Sequence, residues 1–127
     1  MARFFVFLVF FSNPVFAEEN INGKWVGIGH QSGETWQISV TIVDGGARVD
    51  YPDFPCGGIW VLNSAAGMKG TEHLTYGKEH CWDGLLVQLS KLEGNKLRAI
   101  WLDGATRIAH AELEHVPHQK LSDGKKN

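Results

Sequence analysis

The chain has little cysteine: among its 127 residues only Cys56 and Cys81 carry a thiol, so at most one intramolecular disulfide is available. It has no long apolar run. Phe4–Phe11, FFVFLVFF, is unbroken but far too short to span a bilayer. No basic excess is present, with 12 Lys+Arg against 14 Asp+Glu, which argues against nucleic acid or anionic lipid as the partner. A sustained helical period is missing, as are internal repeats and any linker that would announce a second domain. No G-x-S-x-G elbow occurs, so a serine hydrolase of that kind has no support.

What is present begins with a leader. Arg3 supplies a basic start, Phe4–Phe11 an apolar stretch, Ser12-Asn13-Pro14 a break, and Val15-Phe16-Ala17 a cleavage site. Residues 1–17 therefore read as a cleaved secretory signal, with the mature chain starting at Glu18. No cysteine near that site offers a lipid anchor. Removing Arg3 leaves 11 basic residues against 14 acidic ones, a formal charge of about −3. Export to the periplasm or outside the cell places Cys56 and Cys81 in an oxidising compartment, where the simplest reading joins them.

Alternation cut by glycine-rich turns recurs from Lys24 to His115. The expected strands are Lys24–Gln31, Thr35–Val43, Ala47–Tyr51, Ile59–Asn63, Met68–Tyr76, Gly84–Leu92, Lys96–Leu102 and Arg107–His115. In the second, Trp36, Ile38, Val40 and Ile42 share one face. Turns are expected at Gly33-Glu34, Asp44-Gly45-Gly46, Ser64–Gly67, Glu93-Gly94-Asn95 and Asp103-Gly104. Both cysteines sit in turn-forming runs, with Gly57-Gly58 giving freedom beside Cys56. The expectation is a single all-β domain over 18–118, an eight-stranded antiparallel up-and-down barrel, with a two-sheet sandwich as the alternative. Residues 119–127 read as a polar tail.

Two resemblances follow. Gly23-Lys24-Trp25 resembles the Gly-x-Trp that opens the lipocalins and their calycin relatives. The resemblance implies that Trp25 packs across the closed end of a barrel under a basic residue from the last strand, a position Arg107 would take. Over most of the mature chain, the order G-x-W-x-G, Y-P-x-x-x-C-G-G, E-x-L-x-x-G-x-x-x-C-x-D-G is similar to a group of small bacterial extracytoplasmic β-domains. Gly23, Trp25, Gly27, Tyr51, Pro52, Cys56, Gly57, Gly58, Glu72, Leu74, Gly77, Cys81, Asp83, Gly84 and Trp101, near the end of a later strand, carry it. That group has no established activity, so the resemblance implies fold and disulfide and brings no chemistry.

Candidate sites are few. Gly27-Ile28-Gly29 with Gly33 lacks the following helix that a phosphate loop needs, and small residues at a barrel corner explain it better. His80 beside Cys81 is no nucleophile pair if the cysteine is bridged. His110, Glu112, Glu114, His115 and His118 suggest a metal cluster, yet neighbours along one strand face splay apart, and a solvated polar face is the better reading. Glu72 and Asp83 could pair as glycosidase carboxylates, although Glu72 is better placed to accept from loop amides near Cys81 or to pair with a lysine.

Most of the five tryptophans should be core. Trp82 is the exception: with Phe54, Tyr76 and Asp83 it would form a partner-binding face on the cysteine-bearing loops, or it folds back over the disulfide. The expected function is therefore non-enzymatic, without cofactor or metal. It is a periplasmic or secreted, inhibitor- or immunity-like module that recognises a protein or envelope component through pinned loops. The alternative is a lipocalin-like carrier of a small apolar ligand, with Ala99, Ala109 and Ala111 leaving room inside.

Overall fold

The computed structural model describes residues 21–63 and 68–117. The leader, the turn at 64–67, His118 and the tail at 119–127 lie outside them. Eight strands follow in order: β1 Gly23–Gln31, β2 Glu34–Val43, β3 Gly46–Tyr51, β4 Cys56–Asn63, β5 Lys69–Tyr76, β6 Leu86–Leu92, β7 Lys96–Asp103 and β8 Thr106–Val116. Each pairs antiparallel with the next, and β8 returns to β1, so the sheet closes into an up-and-down barrel. Closure leaves no free sheet edge, which is why a short chain of alternating strands settles here rather than as a sandwich.

The alternation does what it predicts. Trp36, Ile38, Val40 and Ile42 all point inward and are buried, as do Val87 and Leu89 of β6 and Ala109, Ala111 and Leu113 of β8. The first hairpin turns one residue earlier than expected, at Ser32-Gly33, where both φ angles are positive. Such a turn carries the twist of its flanking strands.

A larger correction concerns Cys56-Gly57-Gly58, which is not a turn-forming run but the start of β4. A Cβ at Gly58 would lie 2.1 Å from the His73 carbonyl oxygen and 2.6 Å from Leu74 Cα. The register between β4 and β5 slips at this point, and the bulge brings the two backbones too close for any side chain.

The two ends of the barrel differ. At the end holding the start of β1, Val40, Val49, Leu97 and Leu113 are fully buried in the interior. Trp25 closes that end, its indole N–H donating to the Ile21 carbonyl at 2.9 Å. The ring against it is His115, edge-on at 4.9 Å. Arg107 does not cover Trp25. It pairs with Leu102 at the opposite end of β8, because β8 runs antiparallel to β1 and only its last residues reach Trp25.

The second end gathers the loops 32–33, 52–55, 77–85 and 104–105. Here Cys56 and Cys81 form a disulfide with their Cα atoms 6.4 Å apart, tying the start of β4 to the long β5–β6 loop. A bridge of this kind persists in oxidising compartments.

Two outcomes test this account in equilibrium urea unfolding. Gly58→Ala should destabilise the barrel by about 1–3 kcal/mol, through overpacking against β5. Replacing both cysteines by alanine should cost about 3 kcal/mol, since the bridge closes a loop of sequence separation 25.

Candidate functional site

The sheet is weakest between β5 and β6, where only Lys69↔Gln88, Gly70↔Val87 and Thr71↔Leu86 pair. Beyond Thr71 the chain leading into β6 swings away and becomes the loop. Backbone bonds Glu72 N–H to Leu85 O (2.8 Å) and Gly84 N–H to Glu72 O (3.1 Å) hold its base. One position further, the Asp83 carboxylate accepts the Leu74 N–H at 2.8 Å, standing in for a missing strand partner. That bond is the chief reason its carboxyl is held below the usual carboxylate range. Gly77 lets the loop start against the other wall: a Cβ there would meet the Pro55 carbonyl oxygen at 2.2 Å.

Under this loop the barrel end is hollow. A cavity of about 400 Å³ opens at the mouth. Trp36, Tyr51, Phe54, Trp82 and Trp101 line it, with Glu72 and Leu85 deeper and Glu79 and His80 at the rim. The rings meet edge to face: Trp36 lies 5.6 Å from Tyr51 and 5.4 Å from Trp101, and Phe54 leans on Trp36 at 6.1 Å. The register between β7 and β8 slips between Trp101 and Leu102, leaving Ile108 of β8 as the extra residue, and this bulge lets Ile108 join its neighbour Ala109 in the lining. Of the three alanines expected to leave room, only Ala109 borders the cavity. Ala99 and Ala111 face each other across β7 and β8 in the filled part.

Glu72 is the sole buried charged residue among the described ones, at 2% exposure. It does not accept from loop amides with its side chain, nor does it pair with a lysine. Its Oε2 accepts the Tyr51 hydroxyl and, at 3.0 Å, the Trp60 indole N–H. The Trp101 indole N–H in turn donates to the Tyr51 oxygen at 3.1 Å. β4 presents Trp60 directly opposite Glu72, which is how the pair meets. Burial pushes the Glu72 carboxyl above its ordinary value, against the lowering pull of these donors. The Tyr51 hydroxyl is pushed well up by its own burial and then by the neighbouring Glu72.

Among the described residues, one buried donor is left over. Trp36 Nε1 is buried with no acceptor. Leaving such a group unsatisfied costs about 1–3 kcal/mol. Across the strand pair, the six-membered ring of Trp36 covers Gly29, where an added Cβ would lie 2.2 Å from Cζ3. The Nε1 edge of the indole therefore faces away from that wall.

The expected partner-binding residues do not form one patch. Phe54 is half-buried in the mouth. Trp82 is 54% exposed and stands at the rim rather than folded away. Tyr76 lies on the outer wall, 47% exposed. Its hydroxyl donates to Asp50 across Gly57, whose missing side chain makes space for the phenol ring. Asp83 is committed to the Leu74 amide. Glu72 and Asp83 thus hold different structural partners.

Glu112, Glu114 and His110 of the C-terminal set are engaged too. Glu112 pairs with Arg98 at 3.4 Å and Glu114 with Lys96 at 4.0 Å, while His110 stacks on His30 at 5.0 Å. Burial and then the charge of His30 hold His110 below the ordinary histidine value. Among the described residues, no three His, Cys, Asp or Glu side chains converge as a metal would require. No protein-family profile matches the chain, and no curated protein or solved structure is significantly similar to it.

The buried network was the part that sequence reasoning missed. Its trace is the inward register of β5, which puts Glu72 on the same face as Leu74. A carboxylate there needs donors, and inward-facing Tyr51 and Trp60 are the ones within reach.

Because the native Glu72 carboxyl binds its proton more tightly than the unfolded one, its contribution to stability is greatest in acid. It declines as pH rises from the ordinary value of 4.5 to the raised native value. Stability of wild type relative to Glu72→Gln, from urea curves between about pH 4 and about pH 8, should fall through that window and then level. A difference independent of pH would contradict it.

Proposed function

We propose that the protein is a non-enzymatic periplasmic or secreted binding protein that takes a small, largely apolar molecule into the cavity at the barrel mouth. The observation that carries this reading is the hollow of about 400 Å³, walled by aromatic rings and roofed by a loop bridged to β4. Binding sites for small molecules have this form: a preformed concave surface, mostly apolar, with a few polar groups fixed at defined points. The bridge supports an extracytoplasmic setting and keeps the roof in place without a ligand, which lowers the ordering cost of binding. Trp25 closing the far end and the mouth lying opposite it agree with a calycin-like arrangement.

A second reading, in which an envelope protein docks on the rim, draws on the exposure of Trp82. It has less support, since Tyr76 and Asp83 are turned to other tasks and Phe54 leans into the cavity.

Ala109→Phe separates the two, because it places a ring in the cavity and leaves the outer rim unaltered. With the neutral probe N-phenyl-1-naphthylamine, wild type should enhance fluorescence on binding. The variant, shown folded by circular dichroism, should lose roughly tenfold or more in affinity. Equal affinity for both proteins would sink the cavity reading.

A further inference from the structure

The lining has a definite electrostatic sense. Its charged side chains are Glu72 in the depths and Glu79 at the rim, where Glu79 sits 3.5 Å from His80. No lysine or arginine lines it among the described residues. Trp36, Tyr51, Phe54, Trp82 and Trp101 bring several aromatic faces to one small space. Each ring face is the negative end of a quadrupole and attracts a cation, tryptophan most strongly. A buried carboxylate beneath those faces adds to the attraction at short range, because water does not screen it there.

Resting on the cavity-binding reading, we infer that the preferred ligand is a compact organic cation, a quaternary or tertiary ammonium. The ammonium sits among the rings above Glu72. Both Tyr51 and Trp60 already donate to Glu72, so the carboxylate stays in place and attracts the charge from beneath without having to move.

Choline is a suitable probe, having a quaternary ammonium and a hydroxyl. 3,3-Dimethylbutan-1-ol has the same shape without the charge. In titrations of the processed protein, followed by tryptophan fluorescence and calorimetry, choline should bind roughly tenfold or more tightly than the neutral isostere. Glu72→Gln should erase most of that preference. Phe54→Leu, at a half-buried loop position that tolerates change, should weaken choline several-fold and the isostere little.

Equal binding of the two probes overturns the inference, as does isostere binding without choline binding. If neither binds but the neutral naphthylamine does, and Ala109→Phe abolishes it, the cation inference fails while the cavity reading stands. If no probe binds, both fail.

Discussion

The parting of β5 and β6 after three paired positions governs the rest of this molecule. An eight-stranded barrel has an interior that side chains can fill or that can hold one small ligand. Here the chain leaves the sheet after Tyr76, runs over the opening as loop 77–85, rejoins at Leu86, and needs fixing at both margins. The Asp83 carboxylate supplies the β5 margin through the Leu74 amide, and the Cys56–Cys81 bridge supplies the β4 margin. With both in place the loop is a roof over a hollow.

The network beneath that roof runs against the usual economy of a small domain. Burying a carboxylate among rings is unfavourable unless donors compensate, and an apolar residue of similar volume would often serve stability better. Glu72 is nevertheless held by Tyr51 and Trp60, with Trp101 supporting Tyr51 in turn. All four side chains come from different strands, so the network fixes the rotamers of three large rings at once. Three of the four, Glu72, Tyr51 and Trp101, also line the cavity. A polar network with this position is better explained by what it holds in shape than by what it adds to stability.

Much of the barrel was legible in the sequence because alternation reports directly on which face is buried. Trp36–Ile42 and Ala109–Leu113 needed no structure to be placed on the inner face, and the pairing of Cys56 with Cys81 followed from compartment and count. The misreadings share a physical origin. Gly57 and Gly58 read as turn formers because glycine most often serves backbone freedom, whereas here both serve close approach, of Tyr76 to one and of β5 to the other. The lipocalin resemblance implies Arg107 over Trp25, but strand direction puts His115 there. Tyr76 and Trp82 are near in sequence, yet the bulge in β5 and the loop after it send them to opposite sides of the wall. Long-range register of this kind leaves no local trace.

The filled end and the hollow end are complementary rather than incidental. Trp25, Val40, Val49, Leu97 and Leu113 make a buried plug that removes apolar surface from water. Burial at that end contributes stability that the other end forgoes by leaving its rings partly uncovered and one indole donor unmatched. The disulfide then acts on the weaker half, where the unfolded chain would otherwise gain most by opening. Stability concentrated at one end, and a covalent tie across the other, together allow a chain this short to keep an open aromatic chamber. That division explains why the unsatisfied Trp36 donor can persist: the plug and the bridge offset its cost.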